Sequence, residues 1–299
     1  MKYILMTVSI LLSVVNACLL RSYSRVDGKR EYSPFLFNAG VSVVWILILL
    51  VSFLIMGRGF SVGALIYGSV YGVILCAFLF FKTQSMAEGP VSLSTLIGSC
   101  AFVIATWFGV VYANERVNSF QLAGMAMLIV SLVLCVNPKK SGEKLTVKWM
   151  FYCLGFFIAG GFVGILYKLF GKSDASNDVD AMILIASVVS AVLFFAVGAI
   201  REKKKNSITL LPDKKTLLFV VMCGVASCVY IRLNVSLSAI IPSVIFFPVS
   251  NGGMVILSTV IGKIVFKEKL NNIQVVGIII GCIAVVVTGC GEALYKFIF

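Results

Sequence analysis

Ten apolar runs, each about 18 to 24 residues long, follow one another along the chain. An α-helix needs about 20 apolar residues to cross about 30 Å of hydrocarbon while bonding all its backbone groups internally. Of the 299 residues, 60% are hydrophobic and only 12% are charged, whereas soluble domains carry about 25% charged residues. The composition therefore excludes a soluble fold and predicts an all-α integral membrane protein with about ten transmembrane helices.

The ten spans are predicted at residues 3–20, 34–56, 60–82, 90–113, 119–137, 148–170, 179–200, 213–234, 239–266 and 272–290. The longest connector, around Arg201 to Lys215, is too short to fold as a domain. Function is therefore expected to lie within the helical bundle, and the chain to be a multi-pass protein of the cell (plasma) membrane. Val15-Asn16-Ala17-Cys18 faintly resembles a lipoprotein cleavage box, but the single Lys2 before it argues against cleavage.

The cysteines and charges exclude several kinds of site. The chain has nine cysteines, no CxxC pair and no histidine, so the cysteines are interpreted as packing residues, and no metal or cofactor is expected. The net charge is +13, but the basic residues cluster beside helix ends. Anionic lipid headgroups are therefore the expected partner rather than nucleic acid.

A short internal repeat relates the two halves of the chain. Residues 106–124 read TWFGVVYANERVNSFQLAG, and residues 259–277 read TVIGKIVFKEKLNNIQVVG. At a constant offset of 153 the identical pairs are Thr106/Thr259, Gly109/Gly262, Glu115/Glu268, Asn118/Asn271, Gln121/Gln274 and Gly124/Gly277. Because four of the six pairs are polar, hydrophobic composition alone does not explain the match.

The repeated residues predict a tight corner between two membrane helices. In each corner an Asn can cap the following helix while a Gln three residues later reaches back to the backbone of the cap. The Glu precedes the helix N-terminus, where the helix dipole favours a carboxylate, and the Gly permits close helix crossing. These residues are interpreted as structural rather than catalytic: Glu115, Asn118, Gln121, Gly124, Glu268, Asn271, Gln274 and Gly277.

Five spans precede the connector around Lys139 to Lys148 and five follow it, giving a first repeat at residues 1–138 and a second at residues 148–291. An odd number of crossings per half places the two halves in opposite orientations. Such inverted repeats are typical of secondary transporters, whose substrate site lies near the membrane midplane between the halves.

The two corners, together with Pro90 and Pro242 at the start of the preceding spans, resemble the drug/metabolite transporter (DMT) superfamily. The resemblance covers essentially the whole chain and is to the ten-helix group with two EamA-type domains. It implies a carrier that moves small metabolites such as amino acids, bases or amphipathic cations, or that flips lipid-linked sugars. It selects none of these substrates.

Polar residues spaced by three or four share a helix face, and such stripes inside spans mark candidate solute contacts. The candidate substrate-binding residues are Asn16, Asn38, Trp45, Tyr67, Tyr71, Ser99, Tyr230, Ser250 and Asn251. Asn251 lies between Pro248 and the pair Gly252-Gly253, which can loosen a helix and expose carbonyl groups to a cavity. Alternatively, the stripes only join helices by hydrogen bonds, the tyrosines only pack, and the glycines only permit close approach.

The charged residues bear on substrate and orientation. All 12 acidic residues are expected at or outside span ends, which leaves no proton carrier at mid-membrane. Arg232 is expected about two residues before a helix end, where it would snorkel to headgroups; facing a cavity, it would favour an anionic substrate. Seven of the 25 basic residues fall on the side of the termini, so the positive-inside rule places both termini outside, whereas the resemblance implies cytoplasmic termini.

The leading hypothesis is a secondary transporter, acting as an exporter, in which the two halves alternate about a midplane site. The alternatives are a flippase for a lipid-linked substrate and a non-transporting membrane receptor or assembly partner. An enzyme is not expected, because histidines, mid-span acids and ligand clusters are missing from the sequence. The sequence leaves the substrate, the direction, the coupling ion and the formation of a homo-oligomer open.

Overall fold

The computed structural model describes residues 2–26, 33–56, 60–88, 91–135, 146–204, 212–265 and 271–298. Every regular element in these residues is an α-helix: α1 Lys2–Val26, α2 Pro34–Met56, α3 Val62–Glu88, α4 Val91–Ser99, α5 Phe102–Ala113, α6 Ser119–Cys135, α7 Val147–Lys172, α8 Val179–Lys204, α9 Lys214–Ile240, α10 Ser243–Val265 and α11 Asn272–Ile298. The all-α class is confirmed.

Nine helical stretches in the described residues are long and apolar enough to cross a membrane. One of them, Ser94–Tyr112, combines most of α4 and α5. The tenth expected span corresponds to α6, which is apolar but shorter, at 17 residues. Several helices extend beyond their predicted ends; α9, for example, ends at Ile240 instead of residue 234.

The sequence suggests a loosened helix around Asn251, but the structure interrupts a different helix. The backbone of α10 stays helical through Pro248 and Gly252-Gly253. A Cβ on Gly252 would lie 2.5 Å from Leu128 Cδ1 on α6, so this glycine permits close helix packing. The break lies instead between α4 and α5, where Ala101 N donates to Gly98 O at 3.2 Å in a tighter three-residue turn.

The packing of the helices relates the first half of the chain to the second. Helix α3 packs on α7 and α8, while α9 packs on α1 and α2; α2 also packs on α8, and α6 on α11. One buried core joins α2, α3, α7, α8 and α9, and another joins α1, α5, α6, α10 and α11. Both cores therefore contain helices from both halves, so the region between the halves is the interior of the protein.

Candidate functional site

An aromatic cluster, Trp45, Tyr67, Tyr71, Tyr167 and Tyr230, lies in the first of these cores. The hydroxyl groups of Tyr71 and Tyr167 are 2.7 Å apart, and their rings meet edge to face with centroids 5.4 Å apart. Trp45, Tyr71 and Tyr167 are buried, whereas Tyr67 and Tyr230 are half-buried. The structure thus brings together four of the candidate residues and adds Tyr167, which the sequence analysis did not select.

The cluster lies beside the midpoints of two long helices. Trp45 is the central residue of α2, and Ser227 is the central residue of α9. Trp45 Nε1 donates a hydrogen bond to Ser227 Oγ at 2.8 Å. Two membrane-length helices therefore meet through a polar contact at their midpoints, where a hydrocarbon interior offers no other partner for an N–H group.

Further polar contacts near the cluster also join the two halves. Ser9 of α1 donates to Asn234 Oδ1 of α9 at 2.6 Å, and Ser42 of α2 lies 3.0 Å from Ser190 of α8, oxygen to oxygen. Like the Trp45 and Tyr71 contacts, each of these links residues 1–138 to residues 148–291. The interior between the halves is consequently held by a few discrete hydrogen bonds in addition to apolar packing.

Other candidate residues bond to their own helices rather than to the cluster. The side-chain amides of Asn38 and Asn251 donate to Pro34 O and Phe247 O, both at 2.9 Å. The Ser99 hydroxyl donates to Thr95 O at 2.8 Å. Bonds of this kind satisfy a polar side chain within one helix, and in the part of the chain that the structure describes these three side chains form their hydrogen bonds within their own helices.

Asn16 and Ser250 differ from the other candidates. Asn16 Oδ1 on α1 and Ser250 Oγ on α10 are buried and have no hydrogen-bond partner within the described ranges. A buried polar atom without a partner costs free energy, about 1 to 3 kcal/mol. These two atoms are therefore available to a ligand or water, but they lie on separate helices.

A buried ion pair connects the first corner to the second half. Lys168 Nζ lies 2.6 Å from Glu115 Oε1, and the two side chains are only 5% and 12% exposed. Glu115 Oε2 also accepts a hydrogen bond from Ser243 N at 2.6 Å. The carboxylate thus stabilises the N-terminus of α10, a contact with the second half that the position of Glu115 before α6 does not predict.

Lys168 acts on the adjoining helix end. Its ammonium group donates to Ser238 O at 3.3 Å and to Ile241 O at 3.4 Å. These carbonyl groups lie at the C-terminus of α9, where a cation is favoured by the helix dipole. The pair Glu115/Lys168 therefore complements both helix ends at the junction of α9 and α10.

The capping hydrogen bonds expected at the corners form in both directions in the first corner and from the backbone of Asn271 to the glutamine in the second. Asn118 N donates to Gln121 Oε1 at 3.1 Å, and Gln121 N donates to Asn118 Oδ1 at 2.8 Å. In the second corner Asn271 N donates to Gln274 Oε1 at 3.0 Å, while Gln274 Nε2 donates to Cys135 O at 3.0 Å. Glu268 lies outside the described residues.

The corner glycines permit the close contact between α6 and α11. A Cβ on Gly124 would lie 2.9 Å from Thr288 N, and a Cβ on Gly277 would lie 2.9 Å from Cys135 N. Gly124 therefore faces Thr288 of α11, while Gly277 faces Cys135 of α6. The two helices run antiparallel and approach too closely to admit side chains at these positions.

Arg232 is neither at a helix end nor unpaired. It lies about two turns before the end of α9, and its guanidinium binds Asp180 at 2.5 and 2.9 Å. The Asp180 side chain is only 4% exposed. The Arg232 side chain is itself 49% exposed, so its snorkelling to headgroups stays a prediction, whereas its expected place about two residues before a helix end is wrong. Because Asp180 compensates the guanidinium, Arg232 is not an unpaired cation that would by itself favour an anionic substrate.

A second ion pair across the halves lies at the other end of α7. Lys148 Nζ is 2.5 Å from Glu88 Oε1 at the end of α3, and both side chains are partly exposed. Lys148 and Lys168 are separated by about 30 Å along α7, at 1.5 Å per residue. The two ion pairs therefore stand about one hydrocarbon thickness apart, on opposite sides of the aromatic cluster. No group of three or more potential metal ligands occurs among the described residues.

Comparison with known proteins identifies the architecture. No family model matches the chain, and no curated protein matches it. In fold, 28 chains of solved structures match. One of them, described as "Crystal structure of protein", superimposes with a TM-score of 0.72 at 15% sequence identity, covering 96% of this chain and 96% of its own. At that identity the likeness shows a shared fold over nearly the whole length and nothing about activity.

Proposed function

We propose that this protein is a multi-pass membrane transporter of a small solute, in which two inverted halves rock against each other about the aromatic cluster. The observation that carries the proposal is the set of polar contacts between the halves, with Trp45 and Ser227 bonded at the midpoints of α2 and α9. A protein that needed only a stable bundle could fill this region with apolar side chains. Discrete hydrogen bonds can instead be exchanged for bonds to a solute or to water.

The contact between α6 and α11 supports the inverted arrangement. Gly124 faces Thr288, and Gly277 faces Cys135. Adding the repeat offset of 153 converts Gly124 into Gly277 and Cys135 into Thr288. The contact is therefore repeated with its two sides exchanged, which is what a two-fold axis between the halves produces. Membership of the ten-helix EamA-type DMT group belongs to the same proposal.

The two ion pairs suit alternating access. Glu88/Lys148 and Glu115/Lys168 both join the halves, one near each membrane surface. Closure of one side with opening of the other would require one pair to separate while the other persists. The Glu115/Lys168 pair is buried, whereas the Glu88/Lys148 pair is partly exposed. This difference corresponds to a state that is more tightly closed on the side of the termini.

The ion pairs also bear on orientation. Lys168 and Arg232 are two of the seven basic residues counted on the side of the termini, and both are compensated by internal carboxylates. The Lys168 side chain is only 5% exposed and is therefore not available to headgroups, which increases the excess of available basic residues on the opposite side. We propose on this basis that both termini lie on the extracellular side of the membrane.

A single new cysteine allows a direct test of the rocking motion. Cys153 Sγ on α7 lies 3.7 Å from Ser94 Oγ on α4. Ser94→Cys would therefore place two thiols close enough for a disulfide that ties the halves together. Ser94→Ala is the matched control, because it removes the same hydroxyl group without allowing a cross-link.

Cells expressing wild type, Ser94→Cys, Ser94→Ala or no transporter would be oxidised or reduced, and their internal and external solutes compared by untargeted mass spectrometry. Transport predicts that at least one solute is redistributed by wild type and Ser94→Ala. Ser94→Cys should redistribute it only after reduction. Equal distributions with and without the protein, or full activity while the cross-link is intact, would contradict the proposal. The sign of the redistribution gives the direction of transport.

A further inference from the structure

A groove of about 480 Å³ runs along the outer surface between α5 and α6. Its walls are almost entirely apolar and include Phe102, Trp107, Leu122, Met125 and Ala126. Trp107 is 68% exposed, so the groove opens sideways, toward the hydrocarbon in a membrane. It borders the second core at Phe102 and is not part of the aromatic cluster.

One polar group in the groove has no internal partner. Thr106 lines the groove, its side chain is nearly fully buried, at 4% relative exposure, and its Oγ1 has no hydrogen-bond partner among the described residues. A threonine in a helix usually donates to the carbonyl one turn before it. Thr259, the equivalent residue of the second half, does so, with Val255 O at 2.8 Å. The Thr106 hydroxyl is therefore left for a ligand that offers an acceptor.

The groove is polar at one end. Asn118 and Ser119 line it where α6 begins, and Arg116, in the connector just before them, is exposed. Thr106 lies seven residues before the end of α5, at a depth of about 10 Å along the helix. From the membrane surface inward, the site thus presents a cation, a hydroxyl donor and an apolar channel.

We infer that this groove binds one anionic phospholipid, with an acyl chain along α5 and α6, an ester carbonyl accepting from the Thr106 hydroxyl, and the phosphate near Arg116. The interfacial layer of a bilayer is about 5 to 8 Å thick on each side, so an ester group at its inner edge lies within about one helical turn of the depth of Thr106. The inference requires insertion of the helices in a bilayer, but it does not require transport.

Trp107 supplies a reporter for the groove. The chain has three tryptophans, and the other two, Trp45 and Trp149, are buried and donate hydrogen bonds to serines. Full-length protein would be reconstituted in phosphatidylcholine vesicles that contain a low, equal fraction of either brominated phosphatidylglycerol or brominated phosphatidylcholine. The difference in tryptophan quenching between wild type and Trp107→Phe gives the quenching that arises in the groove.

Wild type is expected to show about fivefold preferential quenching by the anionic lipid, the size of the effect of one Arg near a membrane surface. Ala126→Leu fills the groove and should abolish the preference. Arg116→Gln and Thr106→Val should each reduce it. Ala196→Leu, at an exposed position of α8, is the matched control and should leave it unchanged.

Equal quenching by the two brominated lipids would overturn the inference, since it would mean ordinary lipid contact or a neutral occupant. A preference that survives Ala126→Leu would also overturn it, because the anionic lipid would then lie elsewhere on the surface. Both outcomes leave the transport proposal untouched, because its test depends on the cross-link at Ser94.

Discussion

Neutralising either member of the Glu115/Lys168 pair is expected to destabilise the protein strongly, because each buried charge is compensated by the other. Lys168 Nζ is 2.6 Å from Glu115 Oε1, and neither side chain is more than 12% exposed. Removing one partner of a buried ion pair costs about 3 to 5 kcal/mol. Both groups keep some hydrogen bonds after the change, so we expect each single substitution to cost about 2 to 4 kcal/mol.

The two substitutions should differ in size. In Lys168→Met the Glu115 carboxylate keeps its 2.6 Å bond from Ser243 N at the N-terminus of α10, where the helix dipole favours it. In Glu115→Gln the ammonium of Lys168 keeps only its longer bonds to Ser238 O and Ile241 O, at 3.3 and 3.4 Å. Glu115→Gln should therefore be the more destabilising of the two.

A double-mutant cycle separates compensation from simple loss of contacts. Unfolding of the full chain in mixed micelles would be followed by circular dichroism as SDS is added. We expect Glu115→Gln/Lys168→Met to be less destabilised than the sum of the single variants by at least about 1.5 kcal/mol. The exposed Glu88/Lys148 pair is the control and should show much weaker coupling. Additivity within about 0.5 kcal/mol would refute the argument that the charges compensate each other.

Three further outcomes are expected from single contacts. Tyr71→Phe and Tyr167→Phe should each lower the free energy of unfolding by about 1 to 3 kcal/mol, because one buried hydroxyl loses its partner. In the same SDS titration the double variant should lose less stability than the sum of the two single variants, and a fully additive loss would contradict the pairing. Gly277→Ala should lower the stability by about 1 to 3 kcal/mol, because its Cβ forces α6 and α11 apart. In Gly289→Ala the added Cβ would meet its nearest atom at 4.0 Å, so this variant should be close to neutral. Equal thermal stabilities of the two variants would contradict the close contact. Hydrogen bonds from Thr216 in the first turn of α9 lower the pKa of the Asp213 carboxyl. Its capping contribution to stability is therefore present above about pH 4 and is lost as the pH falls further. Asp213→Asn should lose less stability than wild type over that range, and an identical pH dependence of the unfolding free energy in the two proteins would exclude this role.

The apolar helices could be predicted because one physical requirement determines them. A hydrocarbon interior demands a continuous run of apolar residues, and the runs are visible without any knowledge of contacts. Helix ends carry a weaker signal, because a helix can continue past the predicted apolar run. The predicted span ends at residue 234, whereas α9 continues to Ile240. Arg232 therefore lies about two turns before the end of the helix, where it pairs with Asp180.

The composition of the aromatic cluster was only partly visible in the sequence. Helical spacing identifies residues that share a face, which is how Tyr71 and Tyr230 were selected. It does not identify the partner on another helix. Tyr167 lies among phenylalanines and glycines of α7 without a polar stripe, and its partner Tyr71 is 96 residues away in the chain. Only the packing of α3 on α7 shows that the two hydroxyl groups share one hydrogen bond.

Several residues of the internal repeat form contacts between the two halves in addition to shaping their own corners. Local capping accounts for Asn118 and Gln121, yet three other members of the repeated set contact the opposite half. Glu115 binds the start of α10, Gln274 binds Cys135 O at the end of α6, and Gly277 faces that same helix end. The two-fold axis proposed above accounts for this pattern, because it would make each corner the partner of a helix end in the other half. A substitution in one corner should then disturb a contact between the halves as well as a turn, which local capping alone does not predict.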